Sequence, residues 1–342
     1  MPQGSFMSVI TLSLKEVHQL ATNCLLASGC DEENARAVAG TIHAAERDGC
    51  SSHGLFRLPG YVASLKSGKV NGTAVPEIRH LSGSVIQADG NGGYAPLALQ
   101  RSRSALIDAA RGNGIAALVL VNVHHFAALW TEVEPVVKEG LVAMAFTTYK
   151  PAVVPAGARE ALYGTNPMCF GWPRGDEPPL IFDQASSSMA KGEVMIAARE
   201  GQTVPSGTGI DADGNDTTDP ARILDGGALL PFGGYKGSNM AMMIELLVAG
   251  LSGQDFSFEA EKNDNNDGGP PVGGELMLAM DPARFGDSEH WQDHSESFIN
   301  RLGGMDGSHL PGTRRHERRE VIEVEGVKIP ETLHDQCRAF MF

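Results

Sequence analysis

A serine, a histidine and an arginine fall within one short stretch, "DGCSSHGLFRLPGY", running from Asp48 to Tyr61. Each residue type suits one task. The Arg57 guanidinium is built to hold a carboxylate through two parallel hydrogen bonds. The His53 imidazole titrates near neutral pH and passes a proton. Ser52 can orient that imidazole or donate to a substrate. A site that binds a carboxylate and moves a proton uses all three; a capped turn with an exposed arginine uses none of them.

Further clusters follow along the chain. "HHFAAL" (His124 to Leu129) comes after an apolar run, where ligands of α/β sheets gather, and its small residues suggest a helix N-terminus open to an anion. "YGTNP" offers Thr165 and Asn166 on a turn fixed by Pro167. "FDQASSSMAKGE" sets Asp183 at a strand end, ahead of Lys191, Gly192 and Glu193; the aspartate suits a ribose, an amide or a helix cap. In "LPFGGYKGSNM", glycines and Lys236 open a helix in a way that suits a phosphate, with Ser238 as the cap. "PGTRRHERRE" clusters Arg314, Arg315, Arg318 and Arg319, either for a 2′-phosphate or as a solvated helix start paired with Glu317 and Glu320. His290 with His294, and His334 with Cys337, lack further ligands, so no metal site is expected.

These groups need elements to position them. Ser13 and Glu16 form a capping box ahead of a first helix, and Asp31 caps a second that ends at Gly49. A short helix with Pro59 in its first turn is expected next, then a long one over "LALQRSRSALIDAARGNG". "GIAALVLVNV", "LVAMAFTT", "PLIFDQA" and "ELMLAMD" read as strands. "SNMAMMIELLVAGLSG" reads as a helix with Met240, Met243, Ile244, Leu247 and Leu251 on one face. The loop "EKNDNNDGGPPVGG" is polar, glycine-rich and expected to be mobile. Strands and helices mix throughout, so the class is a mixed α/β fold. No G-x-G-x-x-G follows a strand, so the Rossmann fingerprint is missing, as are a Walker A loop and a G-x-S-x-G elbow.

The 342 residues suffice for two or three domains. A formal net charge of −15 argues against nucleic acid and anionic membrane surfaces as partners. No apolar run reaches the roughly 20 residues of a membrane helix, and "MPQGSFMSVI" has no basic-then-apolar leader pattern. Five scattered cysteines without a C-x-x-C pair read as reduced thiols, which suits the cytoplasm.

Taken in order, "ERDGCSSHGLFRLPGYVASLKSGKV", "HHFAALW", "YGTNP", "IFDQASS", "ALLPFGGYKGS" and "LPGTRRH" resemble the malate/L-lactate dehydrogenase-like oxidoreductases. The match is nearest to their Δ1-piperideine-2-carboxylate/Δ1-pyrroline-2-carboxylate reductase branch and runs from about Leu12 to Arg319. The resemblance implies a non-Rossmann NAD(P)-binding sheet domain over residues 115–300, flanked by a helical region of residues 1–114 and a C-terminal segment, 301–342, packed on it. It implies a homodimer, NADP as cofactor with NAD as the alternative, and a small carboxylate substrate. It assigns Ser52 and His53 to catalysis and Arg57 and Thr165 to substrate. It assigns to the cofactor His125, Phe126, Ala127, Ala128, Leu129, Asp183, Gln184, Ala185, Lys191, Gly192, Tyr235, Lys236, Gly237, Ser238, Arg314 and Arg315. Glu193 stands where the imine-reducing branch has a catalytic aspartate, and Tyr235 where it has a histidine. In hydroxyacid-oxidising relatives the residue at His125 is the base. The leading expectation is NADPH-dependent reduction of a cyclic imine 2-carboxylate to L-pipecolate or L-proline. The alternatives are a 2-hydroxyacid dehydrogenase of malate or lactate type, and a non-catalytic dinucleotide sensor.

Overall fold

In the computed structural model, which describes residues 8–342, the chain starts with β1 (Val9–Leu12) and α1 (Leu14–Ala27). Both halves of the Ser13–Glu16 capping box form, and Asp31 caps α2 (Glu32–Arg47) by accepting from the Asn34 N–H. Most of the stretch read for a leader pattern, residues 1–7, lies outside the described residues. Two 3-10 turns, Ser51–His53 and Leu55–Arg57, then lead into α3 (Leu58–Lys66), with Pro59 in its first turn.

The middle of the chain supplies β2 (Glu77–His80), β3 (Val85–Tyr94), α4 (Ala95–Asn113), β4 (Ile115–His124), α5 (Trp130–Val137), β5 (Val142–Thr147), β6 (Met168–Arg174), β7 (Glu177–Gln184) and α6 (Lys191–Glu200). A small lobe follows, with β8 (Gly209–Ile210), β9 (Asp216–Thr217), α7 (Pro220–Leu224) and β10 (Ala228–Leu229). The chain then forms α8 (Tyr235–Glu245), a π-helical turn (Leu246–Gly250), α9 (Ser257–Asn263), β11 (Val272–Met280), α10 (Trp291–Gly303), α11 (Thr313–Glu325), β12 (Val327–Pro330) and α12 (Glu331–Ala339).

Seven strands make one mixed sheet in the order β2-β3-β4-β11-β5-β6-β7. Only β3 and β4 run parallel in it, and α4 makes the crossover between them. The sheet is wider than the expected 115–300 span, because β2 and β3 come from residues 77–94 and close one edge. Its main core packs Leu106, Ile107, Trp130 and Val133 against Leu118, Leu120 and Met277. A second core joins α1, α2 and α3 to the chain's far end, since β12 pairs with β1 and buries Val327 and Ile329 beside Val17 and Val38.

Three local expectations need correction. Gly233 and Gly234 take φ of +56° and +63°, so α8 starts at Tyr235 and not at Ser238. Ser238 is buried inside the first turn and its Oγ accepts from the Ala156 N–H at 3.1 Å. The π-turn after α8 breaks the apolar stripe: Ile244 and Val248 are buried, whereas Met243 and Leu251 are exposed, 71% for Leu251. The polar loop is tied down, with Asp264 held by Lys69 and Lys150 and Asp267 by Lys69.

Candidate active site

The end of α2 is what aims the Ser-His-Arg stretch. Glu46, buried in its last turn, accepts the Leu55 N–H at 2.7 Å and so ties the second 3-10 turn to the helix. The same carboxylate fills the space beside Gly54, where a Cβ would run into it. Burial pushes the Glu46 pKa up to about 7. The folded protein therefore holds this proton more tightly than the unfolded chain. That stability is fully present below the usual carboxylate value of 4.5 and is lost as pH rises through about 7. Glu46→Gln keeps the acceptor oxygen and removes the charge. It is expected to be more stable than wild type by about 1–3 kcal/mol at pH 8 and equal to it near pH 4; thermal melts at the two pH values decide.

One residue beyond α2, Asp48 anchors a second network. Burial would raise its pKa, but hydrogen bonds from Arg47 and Arg319 hold it below the ordinary carboxylate range. Arg319 reaches both oxygens at 2.9 Å, and Trp130 donates its indole N–H at 2.9 Å. Arg319 also pairs with Glu134 at 3.0 Å. The arginine cluster is thus divided: Arg319 turns inward to brace the site, and Arg318 donates to the Gly49 carbonyl at 3.0 Å. Neither Glu317 nor Glu320 pairs with the cluster among the described residues.

A cleft of about 1100 Å³ opens above these supports. Its walls include Ser52, His53, Arg57, His125 to Leu129, Thr165, Asp183 to Ala185, Lys191 to Glu193, Arg314 and Arg315. Residues scattered over more than 260 positions therefore face one space. Tyr235 to Ser238 are not among the walls: this helix start packs against the Ser186–Ser188 segment that follows β7, where a Cβ on Gly237 would meet the Ser186 and Phe232 backbones.

Within the cleft, Ser52 Oγ lies 3.1 Å from His53 Nδ1. Burial first, then the charges of Arg57 and His125, push the His53 pKa down to about 3, so its imidazole is neutral at physiological pH. Arg57 Nε donates to the Ser52 carbonyl at 2.7 Å, and its guanidinium lies 4.6 Å from the centre of the Phe126 ring. Gly192 leaves room for it, since a Cβ there would stand 2.9 Å from Arg57 Nη2. Lys191 Nζ lies 5.9 Å from the Tyr149 ring centre, and burial, Lys150 and Arg57 lower its pKa. Glu193 is exposed in the first turn of α6, and no hydrogen bond joins it to His53 among the described residues.

The loop His125 to Leu129 does not present an open helix terminus. The Trp130 N–H at the start of α5 already donates to Asp183 Oδ2 at 3.2 Å, so a resident carboxylate occupies the position expected for a ligand anion. Burial raises the Asp183 pKa to about 6. Arg315 lies with its guanidinium 4.7 Å from the Trp130 ring centre, and the His53 ring stands edge-on to the same indole at 6.4 Å. Chemically, the cleft walls offer the Arg314–Arg315 pair together with Arg57, Lys191 and a neutral histidine.

Glu46, Asp48, Trp130 and Tyr149 were not among the residues singled out from sequence. A signal existed for Asp48 and Glu46, the two acids flanking Arg47 at the end of an otherwise well-capped helix. Of their partners, Arg319 stood in the arginine cluster read from sequence, but nothing there tied it to Asp48.

Residues 12–338 match the family model described as malate/L-lactate dehydrogenase. A Delta(1)-pyrroline-2-carboxylate/Delta(1)-piperideine-2-carboxylate reductase of Pseudomonas putida is 43% identical over 97% of this chain and 97% of its own length. A (2R)-3-sulfolactate dehydrogenase (NADP(+)) of Chromohalobacter salexigens is 41% identical over 96% of this chain and 97% of its own. The crystal structure of delta1-piperideine-2-carboxylate reductase from Pseudomonas syringae pv. tomato is 42% identical, covers 97% of this chain and 99% of its own, and superposes with a TM-score of 0.92. With a family match over nearly all of its length, the chain belongs to the malate/L-lactate dehydrogenase family of oxidoreductases.

Proposed function

We propose that this chain reduces a cyclic imine carrying a 2-carboxylate, of the Δ1-pyrroline-2-carboxylate and Δ1-piperideine-2-carboxylate type, with NADPH as reductant. The observation that carries the reading is the Arg57 guanidinium fixed beside the Ser52–His53 pair, in a chain 43% identical to a reductase of those substrates. When bound, the reduced nicotinamide supplies a hydride to the C=N carbon. The residues do the rest. Arg57 holds the carboxylate and so sets the distance of the reacting carbon. Ser52 fixes the orientation of His53, which controls the proton at the ring nitrogen. The bound carboxylate also offsets the Arg57 charge that depresses His53, so substrate arrival makes the imidazole a better proton carrier. Lys191 adds positive charge, and Thr165 adds a hydroxyl at the cleft wall.

The dimensions suit the cofactor, since about 1100 Å³ exceeds what a small imine needs. Arg314 and Arg315 are among the cleft walls and are assigned to the 2′-phosphate. Their double replacement by alanine is expected to weaken NADPH binding at least tenfold more than NADH binding; an unchanged ratio in fluorescence titrations overturns that role. The sheet beneath is largely antiparallel, which supports cofactor binding outside the Rossmann scheme. The exposed Met242, Met243, Leu246 and Leu251 support a homodimer through α8. Free thiols at all five cysteines suit a reducing compartment such as the cytoplasm.

A second reading, 2-hydroxyacid oxidation, is favoured by His125, whose Nε2 lies 2.8 Å from Glu132, and by the sulfolactate dehydrogenase relative. Loss of NADPH absorbance with the two cyclic imines, beside pyruvate and oxaloacetate, separates them. Turnover of the imines alone upholds the first reading; turnover of the ketoacids alone replaces it with the second.

A further inference from the structure

Three buried groups meet under the cleft. His125 Nε2 lies 2.8 Å from Glu132 Oε1 and 3.7 Å from Glu275 Oε2, and the three side chains converge within 4.8 Å. Glu132 comes from α5 and Glu275 from the centre of the sheet, where β11 sets it between Leu120 of β4 and Thr147 of β5. Glu275 is 1% exposed and Glu132 3%. Glu132 Oε2 and both Glu275 oxygens have no hydrogen-bond partner. Two adjacent buried carboxylates without donors cost several kcal/mol each. The orphaned oxygens need either a shared proton or a cation. The direct 2.8 Å contact between His125 and Glu132 leaves no room for a metal between those two ligands, whose bonds would hold them farther apart.

We propose that Glu132 and Glu275 act as one carboxyl pair that shares a single proton and carries one negative charge, and that this pair positions His125. Glu132 accepts the Nε2 proton, which leaves Nδ1, a nitrogen with no hydrogen bond among the described residues, as the acceptor at the cleft wall. His125 is thereby a second proton-handling group beside His53, with its tautomer fixed from below. The other titratable groups around it are Asp183 on β7 and the neutral His53, and Arg103 of α4 acts on Glu132. Burial lowers the His125 pKa, while Glu275 and Asp183 oppose that shift.

The pair's unit charge makes a non-additive prediction. In Glu275→Gln the amide donates to an ionised Glu132, and in Glu132→Gln the remaining Glu275 ionises; the charge beside His125 is preserved in both. Only the double Gln variant removes it. Titration of the labelled histidine rings by NMR, with His125→Asn to assign the signal, is expected to show each single variant within half a unit of wild type. The double variant should lie about one to three units lower. Equal shifts in both single variants, or no shift in the double, would overturn the shared proton. A stoichiometric divalent metal in the purified protein would replace it with a cation site. The role in turnover rests on the hydride-transfer reading, but the titration needs no substrate, so either can fail alone. Circular dichroism melts exclude misfolded variants, and in the wild-type background the Gln pair retains the shape of both side chains.

Discussion

His53→Ala is expected to lower kcat by about 10²- to 10⁴-fold, the range for loss of a positioned general acid–base group, while NADPH affinity stays within a few-fold of wild type. The geometry explains why no neighbour substitutes for it. Nδ1 is committed to Ser52 at 3.1 Å, so the other ring nitrogen is the one left for substrate. Arg57 cannot give up a proton. His125 donates its Nε2 proton to Glu132, which leaves its Nδ1 an acceptor with no proton to give the ring nitrogen. Because His53 is neutral in the free protein, with its pKa near 3, kcat/KM should show no limb from this group between pH 5 and 8. Its titration in the substrate complex should move toward neutrality as the carboxylate offsets Arg57. Steady-state rates and cofactor fluorescence titrations test both statements. Turnover within threefold of wild type would falsify the assignment.

Arg57→Lys is expected to cost about 10²- to 10⁴-fold in kcat/KM, with a raised KM and a lowered kcat. Lysine keeps the charge and loses the fork. The arginine donates Nε to the Ser52 carbonyl and keeps its remaining N–H groups for a carboxylate, and its planar face rests on Phe126. A lysine in the same space reaches one of these partners at a time. The Ser52 carbonyl then loses its donor, so the Ser-His turn loosens as the substrate does. A variant with unchanged KM for the carboxylate substrate, but reduced kcat, would reassign Arg57 from substrate clamp to support of that turn.

What was readable in the sequence follows from how local each feature is. Ser52, His53 and Arg57 lie in two successive 3-10 turns, so their chemistry is contiguous in the chain and could be read directly. α1 and α2 carry their caps beside them. Other features depend on partners that only the fold supplies. Asp48 looks like a helix end until Arg319, 271 residues later, closes on it. Glu275 opens the run "ELMLAMD" and reads as a solvated strand start, yet the sheet places it in the middle of a seven-stranded layer. An acid inside an apolar strand was the available sign. The displaced start of α8 follows from two successive glycines at positive φ, which the serine-cap rule does not weigh. The order of the family blocks carried the cofactor segments together; of these, the Tyr235–Ser238 segment lies outside the cleft walls.

The pairing of β1 with β12, and of Asp48 with Arg319, sets the timetable of biosynthesis. On the ribosome, His53 emerges roughly 266 residues before the arginine that braces its neighbourhood, a delay on the order of tens of seconds at usual elongation rates. Through that interval the nascent chain has Ser52, His53 and Arg57 but not the strand and helix that complete their support. Closing so distant a contact late makes folding slow by topology. It also means that a chain stalled or cut before Arg319 carries Ser52, His53 and Arg57 without the bracing at Asp48.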